Sequence, residues 1–256
     1  MTNHDILKIA LSQSAVDCGC EPEDFLNTQY KLTESRSDPR ARAYLPLPFK
    51  FDLVSYGSCV VAQTSNELAP VAREYLEKYP TEHAFETPHI DALNLMLAPH
   101  GLKVCFMAEY FLPDLDRLQV FDCKYETRLL YPDDFASLYT DTWGNALCKK
   151  RRHLDVLAVG AYSDDKLIGL AGCSADCADM YQIGIDVLPE YRRQGIASAL
   201  TSRLTAEILA LGKVPFYCAA WCNLKSVNNA IKCGFRPAWV ELTAREAEFV
   251  DELNRR

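Results

Sequence analysis

The stretch Tyr181–Ala199, YQIGIDVLPEYRRQGIASA, constrains this chain more than any other. Ile183, Ile185 and Val187 alternate as in a strand, Pro189 stops the run, and Arg192-Arg193-Gln194-Gly195-Ile196-Ala197 opens a helix. Such a turn suits a phosphate, because the first helical N–H groups lack an intrahelical acceptor and the helix dipole puts partial positive charge there. The helix carries Ile196, Leu200, Leu204, Ile208 and Leu211 on one face, ends at Gly212 and feeds a strand from Val214 to Trp221. A strand, helix and strand in that order make a right-handed crossover, so the two strands are expected to lie parallel.

Upstream, Tyr125–Leu130 alternates like an edge strand, Pro132 starts a short helix and Thr142–Lys150 suggests another. Strands follow at Val156–Tyr162, Leu167–Cys173 and Tyr181–Leu188, and their short connections make an antiparallel meander. After Trp221, Asn223 caps a helix to Cys233, Gly234 ends it, and Phe235–Leu242 is a last strand before a charged helical tail. The N-terminal part reads differently. Helices are expected at 4–16 and 21–27, an irregular connection at Lys31–Leu47, one strand at Phe51–Gln63, a helix capped by Ser65, a second begun at Thr87-Pro88, and a strand at Leu102–Leu112. The expected organisation is an α/β module at 1–115, a second domain at 121–243 and a helical tail at 244–256.

The net charge of −8 disfavours nucleic acid or an anionic membrane as principal partner and favours a cationic substrate. No apolar run approaches the ~20 residues of a membrane helix, and the first residues lack a basic leader, so a cytoplasmic protein is expected. The basic run Lys149–His153 follows the apparent helix Trp143–Cys148 and reads as cations at a helix C-terminus. Eleven cysteines are scattered without a CxxC, as in a protein with reduced, buried thiols. Cys173/Cys177 and Cys218/Cys222 form two CxxxC pairs, but the expected strands place Cys177 and Cys222 about 20 Å apart at ~3.3 Å per residue, so no metal is expected. His83, His89 and His100 have no metal-like spacing either.

Val187-Leu188-Pro189-Glu190-Tyr191-Arg192-Arg193-Gln194-Gly195-Ile196-Ala197 resembles the V-x-P-x-x-R-x-x-G-x-A/G signature of the GCN5-related N-acetyltransferases (GNAT). Asn223, Ser226 and Gly234-Phe235 match that family's N-x-x-S/A and terminal G-F, and the order of elements agrees from about Tyr125 to Leu242. The resemblance implies an α+β (mixed α/β) fold: a GNAT-like mixed sheet with a central, splayed parallel pair, here preceded by the smaller module. It also implies acetyl-CoA as acyl donor and no metal. The pyrophosphate would lie on Arg192, Arg193, Gln194, Gly195, Ile196, Ala197 and Ser198, and the pantetheine arm along the main chain of Ile185, Asp186 and Val187. The Ile185 N–H would face the thioester carbonyl, and Asn223 the cofactor. The residues of the turn support the same ligand, since Gly195 allows close backbone approach and Arg192 or Arg193 adds permanent charge.

The reaction so implied is attack by a neutral amine of a small molecule or peptide on the thioester. An alkylammonium has a pKa near ~10.4 and needs a base at neutral pH. Asp186 is the only carboxylate in its strand and a candidate base, Tyr181 a candidate relay, and Asp176 or Asp179 the alternatives nearby. Because side chains alternate, Asp186 shares a face with Gln182 and Gly184, opposite Tyr181, Ile183, Ile185 and Val187. Many family members protonate the leaving thiolate with a tyrosine seven residues after the asparagine, where this chain has Ala230. Ser226, Cys222 and Tyr191 are the donors left in the neighbourhood. A non-catalytic acyl-CoA sensor is therefore the alternative, with the N-terminal module as partner or effector. That module is read either as a cover for the acceptor site or as half of a decayed GNAT fold. A homodimer stays open.

Overall fold

The computed structural model describes residues 1–255. Helix α1 (Asn3–Cys18) begins where Asp5 accepts the Thr2 N–H at 2.7 Å, and a short 3-10 turn, Pro22–Leu26, follows. Strand β1 (Lys31–Glu34) lies inside the stretch expected to be irregular; pairing alongside β3 (Val60–Thr64), rather than any period in its own sequence, makes it a strand. The single strand expected over Phe51–Gln63 is a hairpin, β2 (Phe51–Ser55) and β3. Gly57, at φ +98°, reverses the chain, and Ser55 Oγ accepts the Gly57 N–H at 3.0 Å. Helices α2 (Ala69–Lys78) and α3 (Thr87–Leu97) and strand β4 (Leu102–Pro113) follow, Gly101 making the turn into β4 at φ +69°; Ser65, expected to cap the first helix, instead precedes the 3-10 turn Asn66–Leu68 and its side chain makes no capping bond.

Next come β5 (Glu126–Leu130), β6 (Asp155–Ser163), β7 (Lys166–Ser174), β8 (Met180–Val187), α4 (Ile196–Ala210), β9 (Val214–Ala220), α5 (Leu224–Lys232), β10 (Phe235–Glu246) and α6 (Ala247–Leu253). The helix expected over Thr142–Lys150 is absent. Only the 3-10 turn Asp141–Trp143 reaches into it, because Asp186 and Asp155 side chains accept the amides of Asn145, Ala146 and Cys148 that a helix would use internally. The basic run Lys149–His153 therefore ends no α-helix.

The chain divides into two compact units, one of Met1–Ile9 with Phe111–Pro237, the other of Ala10–Tyr110 with Ala238 onward. The expected bounds differ at both ends. The last strand runs past Leu242 to Glu246, since Val240–Ala244 pairs antiparallel with Phe51–Ser55; of the expected tail Ala247–Leu253 is helical, and its residue 256 lies outside the described residues.

In the unit containing Ala10–Tyr110 the strands lie in the order β1-β3-β2-β10-β4. Its core gathers Phe51, Leu53, Ala62, Tyr75, Leu93, Leu102 and Leu242. A buried Arg42 is ion-paired with Asp17, donates to Tyr44 Oη at 2.9 Å, and lies over the rings of Tyr110 and Trp239. Asp52 and Glu241 are buried carboxyls there, both pushed up by burial.

In the other unit the strands lie β9-β8-β7-β6-β5. β5 to β8 form the expected antiparallel meander, and β8 pairs with β9 in parallel. One face is covered by α4, whose Leu200, Leu204 and Ile208 pack among Val159, Ile168, Ala171 and Ile183. Against the other lie Phe135, Trp143, Ala146 and Leu147, packed on Ala158 and Leu170. The 145–146 backbone lies so close to the sheet that a Cβ at Gly184 would sit 1.8 Å from the Asn145 carbonyl oxygen, and one at Gly172 2.2 Å from that of Ala146.

Candidate functional site

The parallel ladder between β8 and β9 runs only from Met180–Val214 to Ile183–Tyr217. Beyond it, Gly184 to Val187 keep their β7 partners but have no partner in β9. The Leu188 N–H bonds the Ile168 carbonyl at 2.9 Å on the β7 side. Backbone groups alternate sides along a strand, so Ile185 and Val187 turn their N–H and C=O groups into the gap. Arg192 Nε already donates to the Val187 carbonyl at 2.9 Å, tying the turn to the strand. What the strand still offers to the gap is the Ile185 N–H, the Ile185 carbonyl and the Val187 N–H.

The gap opens into a cleft of about 830 Å³. Arg193 at φ +60° and Gly195 at φ +81° are both left-handed, which folds the turn into a concave run of amides ahead of α4. The first α4 amide to find an acceptor within the helix is that of Ala199, which bonds the Gly195 carbonyl at 3.0 Å, leaving the Ile196, Ala197 and Ser198 amides at the open helix end. A Cβ at Gly195 would meet no atom within 4 Å, so that position is kept small by its backbone and not by packing. Arg192, Arg193, Lys225 and Lys232 line the cleft against one lining carboxylate, Asp186. The local charge is thus positive in a chain of net charge −8, as an anionic ligand requires.

Helix α5 supplies the far wall. Asn223 caps it, its side chain accepting the Ser226 N–H at 3.3 Å, and it also lines the cleft. Ser226 Oγ lies 2.8 Å from the hydroxyl of Tyr217, a buried residue of β9 that reaches the cleft. Burial pushes the Tyr217 phenol up, while hydrogen bonding from Ser226 and Asn229 pulls the other way. Ser198 Oγ contacts Asn229 Oδ1 at 3.1 Å, and Asn229 Nδ2 donates to Thr201 Oγ1 at 3.0 Å, so α4 and α5 are joined by side-chain amides and hydroxyls along this wall.

Of the residues singled out from sequence, Ile185, Asp186, Val187, Arg192, Arg193, Gly195, Ile196, Ala197, Ser198, Asn223 and Ser226 line one cleft. Gln194 is not among them; its amide oxygen accepts from Tyr125 Oη at 2.9 Å. Nor is Tyr181, which packs against the α4-side core. Asp186 lines the cleft, but both its oxygens are engaged. Oδ2 accepts the Asn145 and Ala146 N–H groups at 2.9 and 3.0 Å, and Oδ1 accepts Asn145 Nδ2 at 2.6 Å. That geometry is an anchor for the 145–146 backbone. Asp176 is buried beside Arg151 at 3.0 Å and Asp179 is paired with Lys213 at 3.0 Å; neither lines the cleft.

Comparison with known families gives a match over residues 123–235 to the acetyltransferase (GNAT) family model. Residues 123–235 are similar to that family. The matched segment contains the split strands, the turn and α5. Solved structures to which the chain is similar include an acetyltransferase named as of the GNAT family from Novosphingobium aromaticivorans, 20% identical, covering 56% of this chain and 66% of that one at a TM-score of 0.41. A GCN5-related N-acetyltransferase-like protein from Streptococcus suis is 18% identical, with 62% and 69% of the two chains covered and a TM-score of 0.46. A functionally unknown conserved protein from Staphylococcus epidermidis is 15% identical, with 84% and 94% covered and a TM-score of 0.43. The matched region thus spans just under two thirds of the first of these chains. No curated protein sequence matches the chain.

Sequence reasoning passed over Tyr217, Lys225, Asn228, Asn229 and Lys232 of the cleft. The four α5 residues did carry a signal, since positions 225, 228, 229 and 232 share one helix face and form a polar stripe. Tyr217 carried none, because in FYCAA it is one apolar ring of a buried strand. Among the described residues, no group of three or more His, Cys, Asp or Glu is placed to hold a metal ion, and no helix is long and apolar enough to cross a membrane.

Proposed function

We propose that the cleft binds acetyl-CoA and that the chain transfers its acetyl group to a primary amine of a small molecule or peptide. The observation that carries this is the end of the β8–β9 ladder at Ile183–Tyr217, which leaves the Ile185–Val187 edge open beside a concave, basic turn. An extended amide-bearing arm pairs with such an edge as a further strand would, and a pyrophosphate fits the amides of Arg193–Ser198. When bound, acetyl-CoA supplies an activated acyl carbon.

Ile185 directs its N–H at the place where charge develops on the acyl oxygen, a donor of the kind that stabilises an oxyanion. Arg193, Lys225 and Lys232 hold phosphate charge. Asp186 fixes the 145–146 backbone, and water carries the amine proton out of the cleft, since the one lining carboxylate is committed to that task. The same commitment, with Ala230 fully buried where many relatives place a tyrosine, favours a second reading: an acyl-CoA sensor that binds without turnover.

Titration calorimetry with acetyl-CoA, followed by thiol release over a panel of polyamines, amino acids and lysine peptides, separates the two. Binding with thiol release supports transfer. Binding without release from any amine supports the sensor. Absence of binding overturns both.

A further inference from the structure

The segment 144–154 carries Asn145, a residue of the cleft wall, and carboxyls from the sheet hold it at both ends. Near its start Asp186 takes the Asn145 and Ala146 amides. Farther along, two other carboxyls do the holding. Asp155 Oδ2, on a residue 2% exposed, accepts the Cys148 N–H at 2.9 Å, and Asp176 Oδ1 accepts from Arg151 Nε at 3.0 Å. The 3-10 turn Arg152–Leu154 then leads into β6.

Proton counting sets this second anchor apart. Tyr139 Oη donates to the Arg152 carbonyl at 3.2 Å and also meets the Asp155 carboxyl. A phenol has one proton to give, and a carbonyl has none. With the Tyr139 proton committed to Arg152, the contact with Asp155 is a hydrogen bond only if Asp155 brings a proton of its own. Burial and the Asp155 charge push the Tyr139 phenol up to about 12, so it does not ionise instead. The surrounding charges ask for the same proton. Arg151 pairs with Asp176, whose buried Oδ2 has no hydrogen-bond partner among the described residues, and the Asp176 charge faces Asp155. From the other elements, Cys173 of β7 is a thiol that burial pushes up to about 12, and Arg152 is exposed, 4.4 Å over the Tyr139 ring.

We propose that a proton on Asp155 latches the segment 144–154, and with it the Asn145 wall of the cleft, so that the wall is held in acid and loosened once Asp155 ionises. Protonated, Asp155 accepts from Cys148 through one oxygen and donates to Tyr139 through the other, and Tyr139 donates to Arg152. Ionised, it only accepts. Tyr139 then turns its proton to the carboxylate, the Arg152 carbonyl loses its donor, and two buried negative charges share one guanidinium. Release of the segment returns Asp155 to water. Burial raises this carboxyl to about 6, so opening grows as pH rises from ~4, where an exposed aspartate ionises, to about 6, and levels off above. The latch needs no ligand and stands apart from the acyl-CoA reading.

Amide exchange of the unliganded full chain, resolved by NMR, tests it. The reporters are Cys148 and the amides of Arg151 and Leu154, which bond the Cys148 and Arg151 carbonyls at 2.9 Å. After correction for intrinsic rates, their opening is expected to rise roughly 30-fold between pH ~4.5 and pH ~7.5, with Asn145 and Ala146 following and the β6 and β7 amides slower throughout. Asp155→Asn keeps an acceptor for Cys148 and a permanent donor for Tyr139, and is expected to hold the segment at its acid level at pH ~7.5. If that variant fails to fold, the Cys148 amide shift of wild type decides; it must titrate with a midpoint of about 6. Opening that changes less than about 3-fold, or rises equally in Asp155→Asn, overturns the proposal. So does opening seen only at the rate of the β6 and β7 amides, or a rise that leaves Asn145 and Ala146 unmoved.

Discussion

Gly184→Ala tests how the cleft wall is built. The new Cβ would lie 1.8 Å from the Asn145 carbonyl oxygen, 2.7 Å from its carbon and 3.3 Å from Ala146 Cα. All three are backbone atoms, so no side chain can swing aside. Restoring even a 3.0 Å separation moves the segment by about 1.2 Å. At that displacement the 2.6–3.0 Å bonds from Asn145 and Ala146 to Asp186 are lost or strained, each worth about 1.5–3 kcal/mol to a charged acceptor. Ala146 and Leu147, now only 4% and 3% exposed, would partly leave their cluster with Trp143 and Leu170. A net loss of about 3–5 kcal/mol is expected. Asp186→Ala removes the same bonds without the clash and is expected to cost about 2–3 kcal/mol, with the double variant less destabilised than the sum. Urea unfolding measures the cost, and amide exchange over 141–154 localises it. A Gly184→Ala protein within about 1 kcal/mol of wild type, with unchanged exchange there, would refute the argument.

Gly195→Ala places a Cβ in open space at φ +81°, so its penalty is conformational, about 1–2 kcal/mol; calorimetry is expected to show acetyl-CoA affinity reduced at least 10-fold as the turn's amides re-aim. Arg42→Ala is expected to cost about 3–5 kcal/mol in chemical denaturation, because it leaves Asp17 buried without its guanidinium. Burial raises the Asp155 carboxyl to about 6, opposed by the Cys148 N–H and Tyr139. The folded state therefore holds a proton that the unfolded chain releases near pH ~4, and stability falls as pH rises from about 4 to about 6. Asp155→Asn keeps an acceptor for Cys148 and should flatten that slope, gaining up to about 3 kcal/mol at pH 7 and little near pH 4 in denaturation curves.

Sequence was most legible where the signals are local. Pro189, Gly195 and the apolar face of α4 fix a strand end, a left-handed turn and a helix from residues three or four apart, and the structure holds them there. The same locality misled at Thr142–Lys150, where a helical pattern yields to carboxylates from Asp155 and Asp186, and at Phe51–Gln63, where a run of strand formers conceals the Gly57 reversal. β1 was unreadable because its partner, Val60–Thr64, lies about thirty residues away.

The sequence alone therefore determined the turn, the meander, the parallel crossover and the residues that line one edge of the cleft. Tertiary structure decided where the β8–β9 ladder stops, and hence that a cleft exists at all. It also decided that Asp186 grips a backbone 40–41 residues upstream, that Gly184 and Gly172 are small to admit that backbone, and that Tyr217 meets Ser226. The physical reason is separation along the chain. Helix and strand periods record each residue's neighbours within a turn or two, whereas a carboxylate's donors and a phenol's partner are chosen by packing between elements that no local pattern encodes.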